Sequence, residues 1–212
     1  MKSMTRKYEL KKRAERQDET RQRIVEAAVA LHEQLGPAQT SISSIAELAG
    51  VGRPTVYRHF PDERALFAAC TTHYLGNHQL PDPDAWRSHS DPETRLRVAL
   101  MEIYRWYRET EAMMVVSFRD LPEMPVLSEV MAPLFALFAN ARAILANGWS
   151  AQSQTLLDAA IGHALAFSTW RSLAGDHGLS DESVVELMAA MVASAASDSA
   201  LPVAVSDHAA AR

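Results

Sequence analysis

The chain has 212 residues, 48% of them apolar, enough to bury the cores of one small domain and one larger one. Its single cysteine, Cys70, excludes an internal disulfide and any clustered cysteine metal site, and fits a reducing cytoplasm. The net charge of -5 is uneven: residues 1–74 hold 12 Lys/Arg against 9 Asp/Glu, while residues 75–212 hold 9 against 17, so a basic first domain precedes an acidic remainder. The basic part can neutralise phosphates and release counterions, and the acidic part is repelled from DNA. No apolar run reaches the roughly 20 residues of a membrane span, and the N-terminus lacks the apolar centre of a signal peptide.

All four lysines, Lys2, Lys7, Lys11 and Lys12, fall in the first twelve residues, joined by Arg6, Arg13, Arg16, Arg21 and Arg23. Residues 1–18 read either as a basic arm that tracks a DNA backbone or enters a minor groove, or as a solvated, frayed terminus. After Asp18, Ile24, Ala27, Ala28, Leu31 and Leu35 recur at helical spacing until Gly36-Pro37 ends the helix. Ser41 or Ser43 then stands where a cap for the next helix belongs.

From Ser43 to Phe60 the chain reads SSIAELAGVGRPTVYRHF. Ile45, Ala46, Leu48 and Ala49 give a short helix an apolar face, and the Gly50-Val51-Gly52 break reverses the chain before a second helix opens at Arg53. Gly50 suits the positive φ of a tight turn, and Pro54 sits in a first helical turn, where its missing N–H costs nothing. Val56 and Phe60 point this helix into a core. Arg53, Thr55, Tyr57, Arg58 and His59 are left outside, and these are side chains that bond to phosphates or base edges. The pattern predicts a DNA-reading helix-turn-helix.

Pro61, Asp62 and Glu63 signal the start of a fourth helix, with Leu66, Phe67, Cys70 and Tyr74 as its buried face. Over residues 20–74, RIVEAAVALHEQLG, TSISSIAELAGVGRPTVYRHF and PDERALF resemble the N-terminal domain of TetR-type transcriptional repressors. The family has Lys then Glu after Phe-Pro, whereas this chain has Glu63 then Arg64, so only Arg64, one residue along, stands in for the usual lysine contact to phosphate. The resemblance covers about the first third of the chain. Beyond Tyr74 it is one of helical layout alone.

Residues 76–90, with Pro81, Asp82, Pro83 and Asp84, read as an irregular connector. A periodic helix is expected from Asp91-Pro92 to about Thr110, with Arg95, Arg97, Arg105 and Arg108 mostly outside, and a shorter helix from Glu111 to Leu121. A long apolar segment, Val126 to Asn147, carries Pro133 as a possible kink. Two final helices are expected over residues 151–174 and 180–196. The expected fold is all-α with about nine helices: a basic arm at 1–18, a helix-turn-helix domain at 19–74 with 62–74 as a linker helix shared by both domains, an effector-binding and dimerisation domain at 75–196, and a disordered Ala/Ser/Asp tail at 197–212.

The resemblance implies a homodimer on a palindromic double-stranded DNA operator, its last two helices pairing with their twins. Ala159, Ala160, Gly162, Ala164, Ala189, Ala190 and Ala193 permit the close helix approach this needs. An intramolecular hairpin is the other reading of the same small residues. DNA contacts are expected from Ser43, Arg53, Thr55, Tyr57, Arg58, His59 and Arg64. The resemblance also implies an effector cavity among the middle helices. Tyr104, Tyr107, Met114 and Phe118, then Met131, Phe135 and Phe138, then His163, Phe167 and Trp170, either line such a cavity for a mainly apolar small molecule or form plain core. His163, Arg105 and Asn140 are the polar candidates, though His163 reads first as a satisfied core or interface histidine.

Two rivals differ in class. An enzyme is disfavoured because G-x-G-x-x-G, G-x-S-x-G, P-loop, H-E-x-x-H and C-x-x-C signatures are all missing, and His73 and His78 are five apart, off the same-face spacing of metal pairs. No cofactor and no metal are expected. The other rival is an effector-independent DNA binder or activator, which the sequence does not separate from a repressor.

Overall fold

The computed structural model describes residues 2–197; the remainder of the tail read above as disordered lies outside the described residues. Among those described there are nine α-helices and no strand, as the periodicities predict. The helices are α1 (Lys2–Leu35), α2 (Ile42–Leu48), α3 (Arg53–His59), α4 (Glu63–Asn77), α5 (Pro92–Asp120), α6 (Pro125–Leu145), α7 (Gln154–Ala164), α8 (Phe167–Trp170) and α9 (Asp181–Ala196). The described residues form two compact units, one of residues 2–80 with 106–136 and the other of residues 81–105 with 137–197. Helices α5 and α6 each contribute residues to both.

In the first unit, α1 buries Ile24, Val25, Ala27 and Ala28 against α2 and α4. The charged segment read as an arm or a frayed end continues this same helix. Its Lys, Arg, Glu and Gln residues are good helix formers, and Lys11 and Glu15 pair at 3.8 Å one turn apart. Gly36 stops α1 at φ 93. Ser41, rather than Ser43, caps α2, in a reciprocal box with Ser44. Gly50, at φ 64, makes the turn, where the Val51 amide bonds back to the Ala46 carbonyl at 2.9 Å. Val56 of α3, Phe60 just after it, and Leu66 and Cys70 of α4 close the core. Asp62 caps α4 through the Ala65 amide at 2.7 Å.

The separate helix expected at Glu111 does not form. Helix α5 runs unbroken from Pro92 to Asp120, because no Gly or Pro before Pro122 interrupts its ladder, and the buried Thr110 hydroxyl finds its partner within the helix, at the Trp106 carbonyl 2.7 Å away. Helix α6 likewise runs through Pro133. With 21 residues it is long and apolar enough, by length and composition, to cross a membrane, contrary to the sequence reading.

In the second unit the expected helix over 151–174 is divided. Helix α7 ends at Ala164, whose carbonyl accepts the buried Tyr104 hydroxyl at 2.8 Å, and α8 starts three residues later, at Phe167, and opens into a π-helical turn, Arg171–Asp176. Helix α9 starts from a Ser180 cap and packs along α7. Arg95, expected outside, is buried: its guanidinium donates to the carbonyls of His89, Ser90, Ile144 and Asn147. Trp86, nine residues earlier, is also buried and donates to Glu102 at 2.7 Å.

Candidate nucleic-acid interface

Helix α3 has seven residues, opens after Gly52 and carries Pro54 in its first turn. Val56 is fully buried, while Arg53, Tyr57 and Arg58 are exposed and Thr55 and His59 are half-buried. Tyr57, 48% exposed, is the one large aromatic of this helix turned outward. The outer face therefore carries two guanidiniums, a phenol, an imidazole and a hydroxyl, which suffices to bond phosphates and base edges. Ser43 is exposed in the first turn of α2.

Two further cations lie beside this face. Arg21 of α1 stacks over the Phe60 ring, 4.8 Å from its centroid. Arg23 lies beside the turn, 3.8 Å from the point where a side chain on Gly50 would begin. Burial, then the charges of Arg58 and Arg21, hold the His59 imidazole below its usual range, so the neutral ring is favoured there. Sequence reading grouped Arg21 and Arg23 with the terminal charges; their neighbourhood with the turn depends on how α1 crosses α2 and α4, which local spacing does not encode. Arg64, exposed on the first turn of α4, is ion-paired with Glu129 of α6.

Of the residues expected around an effector, Tyr107, Met114 and Met131 are buried in the first unit, where Phe118 and Phe135 are exposed. In the second unit Tyr104, Phe167 and Trp170 are buried and Phe138 is half-buried. The Phe167 and Trp170 rings lie 5.8 Å apart, and the Trp170 indole donates to Asp181 at 2.9 Å. His163, Arg105 and Asn140 are all exposed, and His163 lies 3.3 Å from the Thr169 hydroxyl. Cys70 is buried, and burial pushes its thiol up to about 12, which makes it core rather than a redox sensor.

Residues 24–70 match the family model described as bacterial regulatory proteins, tetR family. The HTH-type transcriptional regulator AcrR of Shigella flexneri is 46% identical over 50 residues, 24% of this chain and 23% of the relative. An uncharacterized HTH-type transcriptional regulator of Mycobacterium tuberculosis is 33% identical over 126 residues, 56% of this chain and 60% of the relative. The chain thus spans between about a quarter and three fifths of the curated relatives it matches. Among solved structures, a HlyIIR mutant protein superimposes with a TM-score of 0.60 at 19% identity, over 82% of this chain and 96% of that one, which establishes likeness of fold.

Proposed function

The chain belongs to the tetR family of bacterial regulatory proteins, and from that premise we propose that it is a DNA-binding transcriptional regulator acting as a homodimer on a palindromic operator. The observation that carries this reading is α3, with Val56 fully buried on one side and Arg53, Tyr57 and Arg58 exposed on the other. Tyr57, Arg58 and His59 hold the phosphates, Arg53 and Thr55 read base edges, and Ser43 adds a backbone contact from α2. A palindrome needs a two-fold dimer whose recognition helices are about 34 Å apart. Exposed side chains on α7 and α9 support such pairing: Ala159 and His163 are one turn apart on the first and Leu187 and Ala190 one turn apart on the second, and most of them are small or apolar.

In the repressor form of this reading, a small and mainly apolar effector shifts α4, recognition-helix separation changes, and the operator is released in the cytoplasm. Only an effector with different affinities for the two states can do this, and a thousandfold loss of operator affinity needs roughly 4 kcal/mol of differential binding. The internal hydrogen bonds of Tyr104 and Trp170 favour a second reading, in which these residues are core and the protein binds DNA without an effector. Selection of genomic fragments by the purified protein at physiological salt tests the main reading. A palindromic motif supports it, and weak, steeply salt-dependent binding to every fragment rejects it. A thermal-shift screen separates the two forms, since a ligand at 100 times its Kd adds about 2.7 kcal/mol.

A further inference from the structure

We infer that Asp120 is a positioning residue for the helix-turn-helix: its carboxylate ties the C-terminal end of α5 to the turn that leads into α2, giving α5 a route to the recognition helix separate from α4. The inference rests on the DNA-binding reading above. The Asp120 side chain is 6% exposed, and its Oδ2 accepts the backbone N–H of Ala38 at 2.9 Å. Arg119 binds the same carboxylate from the other side, Nε to Oδ1 at 2.7 Å and Nη2 to Oδ2 at 3.2 Å. Nη2 of Arg119 also donates to the Leu35 carbonyl at 2.7 Å, satisfying an acceptor that the end of α1 leaves open. One carboxylate and one guanidinium therefore hold both sides of the α1–α2 turn.

Gly36 is what allows this approach. A Cβ there would fall 2.0 Å from Nη2 of Arg119 and 2.5 Å from Oδ2 of Asp120, and its φ of 93 is itself one that other residues rarely adopt. Only three residues separate Ala38 from the first residue of α2. Within them the Thr40 hydroxyl bonds the Gly36 carbonyl at 2.8 Å and Ser41 forms the capping box. The link is thus stiff, and α2 packs directly on α3. Beside it His32, 5% exposed, stacks on Phe67 of α4 with centroids 5.0 Å apart. An apolar contact would hold this turn in a range of positions, whereas a paired and directional one selects a single geometry. Fixing one geometry matters because bidentate base contacts tolerate little displacement of the helix that makes them.

The test uses the full-length protein and a duplex carrying the motif that the wild type enriches from genomic DNA. Asp120→Asn keeps the size of the side chain but removes the charge that holds Arg119, Arg119→Ala removes the other half, and Gly36→Ala pushes both away. Each variant is expected to lose about tenfold or more in affinity for the motif while binding a random-sequence duplex as the wild type does. Amide exchange should quicken over residues 39–49 and stay unchanged over 181–196. The Gly36→Ala/Asp120→Asn double variant should bind no more weakly than the weaker single one, because both break the same contact. Variants that melt earlier yet bind the motif like the wild type and exchange normally over 39–49 would reduce the contact to a structural staple and overturn the inference. If Gly36→Ala does not fold, the other two variants decide. If the wild type enriches no motif, the DNA-binding reading has failed, and unchanged exchange over 39–49 in Asp120→Asn still overturns the tether.

Discussion

Arg64 and Glu129 form an ion pair between the first turn of α4 and α6, with side chains 69% and 49% exposed. The pair engages the one cation that stands near the place of the lysine missing from this chain. At such exposure it contributes about 0–1 kcal/mol to stability, so its effect is expected on DNA rather than on folding. Glu129→Gln should free Arg64 for a phosphate, raise affinity for a random-sequence duplex at low salt, and steepen the log-affinity against log-salt slope by about 0.9 per subunit. Arg64→Ala should leave that slope near the wild-type value. A salt titration of both variants checks this, and equal slopes in Glu129→Gln and wild type would refute it.

The outer face of α3 divides into side chains that hold and side chains that read. Tyr57→Ala is expected to weaken binding to all duplexes alike. Thr55→Ala or Arg53→Ala should cost about 1–3 kcal/mol on the enriched motif and relax preference at individual positions. Fragment selection repeated with each variant measures this directly; unchanged motif and affinity in all three would reject α3 as the recognition helix.

Arg95 makes a different kind of prediction, about stability alone. Its buried guanidinium donates to the carbonyls of Ile144 and Asn147 at 3.3 and 2.7 Å and to those of His89 and Ser90 at 2.9 and 3.2 Å. It thereby ties the C-terminal end of α6 to the segment before α5, both within the second unit. Arg95→Met keeps the stem and strands the carbonyls, so roughly 3 kcal/mol of unfolding free energy should be lost. Denaturant unfolding measures that loss, and motif affinity under native conditions should be unchanged.

What the sequence made legible is what neighbours in the chain decide. Gly50, Pro54 and the period of Ile45, Ala46, Val56 and Phe60 are local signals, and the turn, both helices and the outward set on α3 follow from them. Arg95 looks like one of several outward arginines, because two of the four carbonyls that hold it, those of Ile144 and Asn147, lie about fifty residues on. Arg119 and Asp120 carried no signal, since their partners in the α1–α2 turn are more than eighty residues away. The split between α7 and α8 was equally hidden: no Gly or Pro marks it, and the Tyr104 hydroxyl on the Ala164 carbonyl comes from sixty residues upstream.

His32 gives the pH dependence. Desolvation lowers its imidazole to about 4, and the nearby Asp120 charge only partly opposes this. The unfolded chain binds that proton near the ordinary value of about 6.5, so between roughly 6.5 and 4 the unfolded state holds one proton more than the folded one. Stability from the neutral ring is therefore fully present above 6.5 and is lost as pH falls toward 4, by about 3 kcal/mol in all. Asp120, whose carboxyl Arg119 holds below the ordinary range, adds its own loss only in more acid solution. In the interval from about 6.5 to 5, His59, also held below its ordinary range, titrates beside His32, so the difference between the wild type and a His32 variant, rather than the wild-type curve alone, isolates His32. His32→Phe, which preserves the stack on Phe67, should lose clearly less stability across that interval than the wild type does. Parallel curves for the two proteins would show that His32 is solvated and protonates freely in the folded state.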